Sequence, residues 1–240
     1  MSAPAADIIR AEKIDTFYGP SHILRGLDFR VGRSETVSLL GRNGMGKTTL
    51  LRSLMGLTPP RRGKIFIDGR DMTGQRAGLI ARAGLGFVPE GRGIFPNLSV
   101  EENLLFAERA GRNGRRDWTK DGVYEIFPRL RERRTNWGNQ LSGGEQQMLT
   151  IGRALLSNPE VVLIDEATEG LAPKVRDSIW ETLRLIAARG VAIVVVDKNL
   201  DDLVQLCDRH VILAKGEVAF EGTSAQLRDD PGLVKRLLGV

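Results

Sequence analysis

The stretch Gly41-Arg42-Asn43-Gly44-Met45-Gly46-Lys47-Thr48 decides the fold of this chain, because it matches the pattern G-x-x-x-x-G-K-[ST]. Residues 35–40 before it are mostly apolar or β-branched, which predicts a buried strand. Residues 49–55 after it have the pattern of a helix that ends near Gly56. Strand, glycine loop and helix form the context that a phosphate-binding loop requires. A glycine-rich turn could match by chance, but these flanks favour the binding of a nucleoside triphosphate.

The residue types in this loop suit a polyphosphate. Glycines let backbone N–H groups turn toward the anion at the positive end of a helix dipole. The lysine supplies a point charge for the β- and γ-phosphates, and the threonine hydroxyl suits Mg²⁺. The predicted nucleotide-binding residues of this segment are Gly41, Arg42, Asn43, Gly44, Met45, Gly46, Lys47, Thr48 and Thr49.

The bulk composition is that of an ordinary globular protein. The 240 residues are enough for one domain, or for one domain with an inserted lobe. A net charge of +5 suits nucleic acid, an anionic membrane face or a nucleotide, and does not choose among them. Cys207 is the single cysteine, so an intrachain disulfide is excluded, which suits a reducing compartment.

The sequence carries no pattern of a targeting or membrane-spanning segment. Residues 1–7 lack a basic stretch followed by an apolar run, so no signal peptide is predicted. The longest aliphatic runs, residues 161–164 and 191–196, are too short to cross a bilayer. Work at a membrane would therefore require a membrane partner.

The order of patterns along the chain predicts the fold class. Residues 8–14 and 23–31 alternate as strands of an antiparallel sheet, residues 91–156 have a helical texture, and strands alternate with helices from Pro159 onward. We therefore expect an α/β fold: a P-loop NTPase core of the RecA-like type with an N-terminal antiparallel β subdomain and an inserted α-helical subdomain. The expected organisation is a single domain, residues 1–240, with its core at 1–90 and 157–240 and the helical subdomain at about 91–156.

Two adjacent carboxylates follow an apolar run at residues 161–164. In P-loop enzymes the first carboxylate at this strand end holds Mg²⁺ through water, which fits Asp165. Glu166 would then orient or deprotonate the attacking water. Acidic residues also end strands simply because strands end at the surface, but the phosphate loop earlier in the chain favours the catalytic interpretation.

A third element is Leu141-Ser142-Gly143-Gly144-Glu145-Gln146-Gln147. Ser142 can cap a helix predicted from about residue 145 to 156, and the glycines expose N–H groups in front of it. This makes a second anion site at a helix N-terminus. Two polyphosphate-gripping loops in one chain are best explained if the second loop reaches the nucleotide held by another subunit.

With these motifs in place, the sequence resembles the ATP-binding subunits of ABC transporters over nearly its whole length. The segment LSGGEQ is that family's signature and is far more specific than a phosphate loop. Within the family, Val88-Pro89-Glu90-Gly91-Arg92 and Ser99-Val100-Glu101-Glu102-Asn103-Leu104 are similar to the shorter of the two ATPase subunits of branched-chain amino acid importers. The segment at residues 169–173, Glu-Gly-Leu-Ala-Pro, is also similar to that subunit.

The resemblance implies roles for further residues. Tyr18 would stack on adenine, although a lone aromatic residue in a turn could equally be packing. ATP is favoured over GTP, since no Asn-Lys-x-Asp motif is present. Two subunits would close head to tail, so that the signature residues of one cap the γ-phosphate held by Lys47 of the other. Those signature residues are Ser142, Gly143 and Gly144.

Three positions depart from the wider family. Glu90 stands where most members have a glutamine that senses Mg²⁺, and a glutamate is common in the branched-chain group. Ala167 replaces a proline, which we expect to be tolerated. Lys198 stands where a histidine normally contacts the γ-phosphate. A charged lysine can reach a phosphate but cannot accept a proton, so Lys198 is either a catalytic cation or a solvent-facing residue. Weak or partner-dependent basal hydrolysis is expected.

The resemblance also implies cofactors, partners and a location. The cofactors would be ATP and Mg²⁺, the latter held by Thr48, Glu90 and Asp165. The partners would be a second ATPase subunit, identical or not, polytopic permease subunits and a substrate-binding protein, at the cytoplasmic face of the plasma membrane. Nucleic acid is not expected.

Two alternatives to this function stay open. One is a transporter ATPase for another cargo, such as urea, amides or an exported lipid. The other is a soluble ABC ATPase that acts on DNA or ribosomes. Chains of that last class usually carry two cassettes or a long coiled-coil insertion.

Several residues are set aside as structural. His22 and His210 have no metal-ligand spacing and are interpreted as surface or packing residues. Trp118, Trp137 and Trp180 are interpreted as packing. The arginines of the helical region are interpreted as solvated faces or loops, with contact to lipid or a partner as the alternative. They are Arg112, Arg115, Arg116, Arg129, Arg131, Arg133 and Arg134.

Overall fold

A computed structural model describes residues 7–239 of the chain. The expectation that no signal peptide is present falls mostly on residues 1–6 and lies outside the described part. In chain order, the elements are β1 (Asp7–Tyr18), β2 (Ser21–Gly32), β3 (Thr36–Leu40), α1 (Lys47–Leu54), β4 (Arg62–Ile67), β5 (Arg70–Asp71), α2 (Ala77–Arg82), β6 (Leu85–Val88), α3 (Val100–Ala107), α4 (Lys120–Ile126), α5 (Pro128–Glu132), α6 (Gly143–Leu156), β7 (Val161–Asp165), α7 (Pro173–Ala188), β8 (Ala192–Val196), α8 (Leu200–Leu206), β9 (Arg209–Ala214), β10 (Glu217–Gly222), α9 (Ser224–Asp229) and α10 (Pro231–Leu238).

The first sheet is antiparallel and has the strand order β2-β1-β4-β5. Its two long strands, β1 and β2, form a hairpin in which Ile9 pairs with Val31 and Ile14 with Leu27. These four side chains are buried, and they share a hydrophobic cluster with the buried leucines of α1. The predicted N-terminal antiparallel sheet is confirmed, and it covers one side of the helix that follows the glycine loop.

The second sheet has the order β10-β9-β3-β8-β7-β6. Its strands run parallel except for β10, which pairs antiparallel with β9 at the edge. Every residue of β3, β7 and β8 is buried, as expected for parallel strands covered on both faces. Since β8 lies between β3 and β7, the turns that follow these three strands meet at one edge of the sheet.

Helices α3 to α6 lie between β6 and β7. They pack through one cluster in which Leu104, Val123 and Leu130 are fully buried. Gly152 permits this close approach, since a Cβ there would lie 2.7 Å from Val123 Cγ1. The predicted α/β class is confirmed, whereas the exact limits of a helical subdomain at about 91–156 stay a prediction.

Several helix boundaries differ from the sequence-based expectation. Helix α6 begins at Gly143 and not near residue 145, because Ser142 caps the chain directly before the glycines. Helix α3 was expected to extend to about residue 110 but ends at Ala107, since Glu108 is already extended with ψ at 122°. Four short helices, α2, α5, α9 and α10, were not predicted; none exceeds eight residues.

Two of the structural interpretations are wrong. Trp137 is 55% exposed and so does not pack in the core. Arg112 is not solvated: its guanidinium lies 2.5 Å from Asp68 Oδ2 and 3.3 Å from Glu160 Oε2, where it joins the two sheets to the helical region. His210 does pack internally, with its ring nitrogens at 2.7 Å from Ser38 Oγ and 2.8 Å from Ser224 Oγ.

No helix within residues 7–239 combines the length and the apolar character that a bilayer crossing requires.

Candidate functional site: an anion cradle at one edge of the parallel sheet

The glycine loop turns sharply at two places where only glycine fits. Gly41 has φ at 140°, and a Cβ there would lie 2.5 Å from the carbonyl oxygen of Leu213. Gly46 has φ at 106° and stands directly before α1, with a would-be Cβ 2.8 Å from Leu24 Cδ2. No side chain caps α1. The N–H groups of its first turn therefore have no helical or side-chain acceptor and can receive an anion.

Lys47 is the first residue of α1 and folds back over the loop. Its Nζ donates to the carbonyl oxygens of Gly41, at 2.7 Å, and Arg42, at 3.1 Å. Burial lowers the pKa of Lys47 from its ordinary value, an effect opposed by the carboxylates of Glu166 and Asp165. The ammonium group is thereby held at the mouth of the loop, where a phosphate oxygen can take the place of a carbonyl.

Thr48 and Asp165 form the next contact. The Thr48 hydroxyl donates to Asp165 Oδ1 at 3.2 Å, across the space between α1 and the end of β7. Asp165 is buried, and this burial raises the pKa of its carboxyl above the ordinary value. A hydroxyl and a buried carboxylate are hard oxygen donors of the kind that Mg²⁺ prefers, so these residues fit the predicted metal. The structure does bring this predicted pair together.

Glu166 follows on a strained backbone, with φ at 50°. Its N–H donates to the carbonyl of Val196 at 2.9 Å, which fixes the start of the turn after β7 to the end of β8. A hydrogen bond to the carboxylate of Glu169, together with burial, raises the pKa of Glu166 to about 7. A carboxyl group that titrates near neutrality is suited to proton transfer with water.

Lys198 stands beside these two carboxylates. Its Nζ lies 3.9 Å from Glu166 Oε2 and donates a hydrogen bond to Glu169 Oε1. The hydrogen bond to Glu169 and the nearby Glu166 charge raise the pKa of Lys198, so it is a cation at neutral pH. Sequence reasoning missed Glu169 as a site residue. The only available signal was its position three residues after Glu166.

A cavity of about 400 Å³ lies at this edge of the sheet. Its volume falls within the range of small-molecule sites, roughly 300–1,000 Å³. It joins the glycine loop to the turns after β6, β7 and β8. The residues that line it are Ile23, Asn43, Gly44, Gly46, Lys47, Thr48, Thr49, Glu90, Glu166, Glu169 and Lys198.

Three other predicted residues of the nucleotide site belong to the frame of the loop. Gly41 and Arg42 line a neighbouring cavity, and Arg42 donates to the carbonyl of Arg236 in α10 at 3.1 Å. The Met45 N–H closes the loop onto the Arg42 carbonyl at 3.3 Å. These residues shape the loop without lining the main cavity.

Tyr18 does not line the main cavity, whereas Ile23 of β2 does. The Tyr18 side chain is 45% exposed, and its hydroxyl lies 3.4 Å from Thr58 Oγ1. Stacking on a base therefore stays a prediction. The exposed ring is accessible to a base, and a single weak hydrogen bond of its hydroxyl holds it in place.

The signature residues lie at the N-terminus of α6 and do not line the cavity that contains Lys47. Ser142 and Glu145 form a reciprocal cap: the Glu145 N–H donates to Ser142 Oγ at 3.3 Å, and the Ser142 N–H donates to Glu145 Oε2 at 2.8 Å. A Cβ on Gly143 would lie 2.8 Å from Nη2 of Arg92, a contact that sequence reasoning missed. Within one chain, then, the two predicted anion sites are separate.

The relatives of this chain are transporter subunits. A family model described as "ABC transporter" matches residues 24–169. The high-affinity branched-chain amino acid transport ATP-binding protein BraG of Pseudomonas aeruginosa is 37% identical, over 95% of this chain and 98% of that protein. The Nod factor export ATP-binding protein I of Rhizobium etli is 36% identical, over 89% and 67%. The lipopolysaccharide export system ATP-binding protein LptB of Acidithiobacillus ferridurans is 31% identical, over 98% of both chains.

Solved structures of ATP-binding cassettes have the same fold. A dimeric cassette in a post-hydrolysis state with ADP and Pi superposes with a TM-score of 0.77 at 26% identity, covering 90% of this chain and 98% of that one. A nucleotide-free cassette gives 0.80 at 23% identity, over 96% and 98%. The predicted P-loop NTPase fold is thus confirmed. With the family model matching more than half of its length, this chain belongs to the ABC transporter family and is an ATP-binding, ATP-hydrolysing subunit.

Proposed function

We propose that this chain powers an importer of branched-chain amino acids from the cytoplasmic face of the plasma membrane. The observation that carries the proposal is the similarity to BraG, which extends over nearly the full length of both proteins. The similarity to the Nod factor exporter extends over only 67% of that protein. The match to LptB keeps lipid export as the second candidate, at a lower identity.

In the proposed reaction, ATP lies in the cradle of the glycine loop, with its β- and γ-phosphates on Lys47. Thr48, Asp165 and Glu90 would hold Mg²⁺, which when bound neutralises phosphate charge. Glu166 would orient the attacking water and accept its proton, a role supported by its pKa of about 7. Lys198 would supply a second cation on the γ-phosphate side of the cavity.

A second cassette would complete the site. The Ser142 tip does not line the cavity with Lys47, which supports its use on the nucleotide of a partner subunit, identical or not. Closure of the pair would then bring each tip to the γ-phosphate of the other. On this proposal, residues of about 91–156 move as a subdomain relative to the sheet.

An exposed aromatic patch supports a membrane-protein partner. Phe95 and Phe106 contact each other edge to face, with ring centroids 4.9 Å apart, and Phe106 is 71% exposed. Trp137 is in β-bridge contact with Ser99 in the same region. Large exposed apolar side chains that lie together are typical of an interaction surface. We propose that a cytoplasmic segment of a permease covers them, with a substrate-binding protein on the other side of the membrane.

The cargo can be tested by uptake in cells that lack this gene. Radiolabelled leucine, urea and an amide would be compared after complementation with the wild-type gene or with Glu166→Gln as the matched inactive control. We expect leucine uptake to return only with the wild type. Restoration of urea or amide uptake without leucine uptake would contradict the proposed cargo, and unchanged uptake of all three would favour export.

The permease surface can be tested separately by co-purification. Phe106→Ser should reduce recovery of the permease subunits, whereas Leu57→Ser, an exposed leucine outside the patch, should not. Equal recovery with both variants would contradict docking at the patch.

A further inference from the structure

Lys198 is shared between two carboxylates at the end of the sheet. It follows β8, while Glu166 and Glu169 follow β7, so the contact joins two turns that are 29 residues apart in sequence. The Lys198 side chain is 59% exposed and yet ends on Glu169, whereas Glu166 is only 15% exposed. The lysine therefore reaches back from solvent toward the carboxylates.

The two turns are fixed relative to each other by Asp197. Its Oδ2 accepts a hydrogen bond from the Thr168 hydroxyl at 2.6 Å, which ties down the residue before Glu169. Its Oδ1 accepts from the backbone N–H of Lys198 at 2.8 Å and of Asn199 at 3.0 Å. Because both backbones are held, the Lys198 and Glu169 side chains start from positions within reach of each other, although both side chains are about half exposed.

The pair lies inside the nucleotide cavity. Glu169 and Lys198 line it together with Lys47 and Thr48. Carboxylate oxygens of Glu90, Glu166 and Glu169 lie within 4.8 Å of one another. A triphosphate that enters this cavity brings more negative charge to an acidic wall, where Lys198 is already engaged by Glu169.

We propose that Glu169 is a positioning residue that withholds Lys198 from the nucleotide, and that the γ-phosphate of ATP must compete with Glu169 for this lysine. The inference rests on the proposed function, in which the triphosphate lies on Lys47 and Lys198. ADP has no γ-phosphate and leaves the Lys198–Glu169 pair in place. The pair is thus a latch that senses the third phosphate.

The latch predicts an effect on ATP that ADP does not share. Removing the Glu169 charge frees Lys198, so the γ-phosphate gains a cation without first breaking an ion pair. For a partly exposed pair this gain should be about threefold in affinity. General relief of negative charge in the cavity would instead favour both nucleotides, and it would persist without Lys198.

A double-mutant cycle on the purified chain tests this directly. Calorimetry in the presence of Mg²⁺ would measure the affinities for ADP and for an ATP analogue with a non-hydrolysable β,γ-imido bridge. The proteins are the wild type, Glu169→Gln, Lys198→Gln and the double variant, with Glu169→Asp as the charge-conserving control. We expect Glu169→Gln to bind the analogue about threefold more tightly at unchanged ADP affinity, and the double variant to match Lys198→Gln.

The possible outcomes distinguish failure of the Lys198–Glu169 latch from failure of the proposed nucleotide site. An equal gain for both nucleotides, or a gain of the same size in the Lys198→Gln background, would overturn the latch alone. A wild-type chain that binds neither nucleotide would overturn the proposed site and the latch with it. A purely structural role for Glu169 would lower the melting temperature of the free chain and leave the ratio of the two affinities unchanged.

Discussion

Two helix N-termini in this molecule lie next to glycines of sequence motifs, and their N–H groups have opposite environments. Helix α1 begins after Gly46 with no side-chain cap, and its first residue is a cation. Helix α6 begins after Ser142, whose side chain and that of Glu145 cap each other. Both tips have the positive end of a helix dipole, but only the α6 tip carries a side-chain cap and a carboxylate of its own.

This difference explains how one chain can carry two anion sites with different functions. At α1 the free N–H groups and Lys47 all favour negative charge. At α6 the Glu145 carboxylate already occupies part of the tip, so the dipole is partly satisfied by the chain itself. We therefore expect α1 to bind nucleotide in the isolated chain, and α6 to contribute only when a phosphate is presented to it by another subunit.

The largest expected effect is a loss of ATP affinity on substitution of Lys47 at the N-terminus of α1, the tip without a side-chain cap. Lys47→Ala removes the ammonium group that lies over the loop, and a charged hydrogen bond of this kind contributes about 1.5–3 kcal/mol. ATP affinity of the isolated chain should fall by about 10- to 150-fold, measured by calorimetry. Lys64→Ala, an exposed lysine in β4 that pairs with Asp71, is the matched control and should bind as the wild type does. Loss of less than about threefold would mean that the loop backbone binds the phosphates without this cation.

The next largest effect is a loss of ATP hydrolysis on substitution at the capped N-terminus of α6, with nucleotide binding to the isolated chain intact. A Cβ on Gly144 would lie 2.7 Å from Val175 Cγ1 at the start of α7, so Gly144→Ala overpacks this contact. Overpacking costs about 1–3 kcal/mol of folding free energy. ATP affinity of the isolated chain should stay within about twofold of the wild type, while hydrolysis in the assembled pair falls by about tenfold.

Val175→Ala provides the control for that substitution, because it removes the methyl groups that Gly144→Ala would meet. The double variant should regain the melting temperature lost in Gly144→Ala. If hydrolysis returns with it, the defect came from the displaced tip. Weakened binding of ATP to the isolated chain would contradict the separation of the two tips.

Much of the sheet and of the uncapped tip of α1 could be predicted from the sequence. The apolar run and the helical pattern predict a strand at residues 161–165 and a helix at residues 200–206, and these are the limits of β7 and α8. The start of α1 was misplaced by two residues, because the lysine and threonine of the motif are already helical. The motif located the glycine turn before α1 without showing that its last two residues, Lys47 and Thr48, already belong to the helix.

The contacts between distant turns could not be predicted. Glu169 meets Lys198 only because β7 and β8 are parallel neighbours, and pairing of strands is not visible in a local pattern. Arg92 reaches Gly143 for a similar reason, through the packing of the turn after β6 on α6. The exposure of Trp137 was missed because an isolated aromatic residue carries no periodicity that indicates which way it faces.

A smaller effect is expected from the cap of α6 itself. Ser142→Ala removes one partner of the reciprocal cap, which costs about 1 kcal/mol. For a chain of this size the melting temperature should fall by about 2–4 °C. If the Ser142 hydroxyl also donates to a phosphate in the assembled pair, ATP hydrolysis should fall by more than the stability loss explains.

Helix α3 offers a matched control for that substitution. Ser99 and Glu102 form the same reciprocal cap, with Glu102 N–H donating to Ser99 Oγ at 3.1 Å and Ser99 N–H donating to Glu102 Oε2 at 2.7 Å. Ser99→Ala should therefore lose a similar amount of stability and keep full hydrolysis. Equal losses of hydrolysis in the two variants would mean that Ser142 acts only as a helix cap.

The smallest effect on stability and hydrolysis is expected from substitution of Arg92, which connects the turn after β6 to the N-terminus of α6. Its Nη1 donates to Gln146 Oε1 at 3.1 Å, and its carbonyl accepts from the Thr150 hydroxyl. Arg92→Ala removes only the first of these bonds, so about 1 kcal/mol of stability and a loss of hydrolysis of about twofold are expected. Gln146→Ala removes the same bond from the other side, together with the bond from Gln146 Nε2 to the Gly138 carbonyl at 3.1 Å, and so serves as a control that should cost somewhat more stability. If Arg92→Ala reduces hydrolysis of the assembled pair by more than Ser142→Ala does, the guanidinium beside Gly143 contacts the partner's nucleotide, and the capped tip carries a cation of its own.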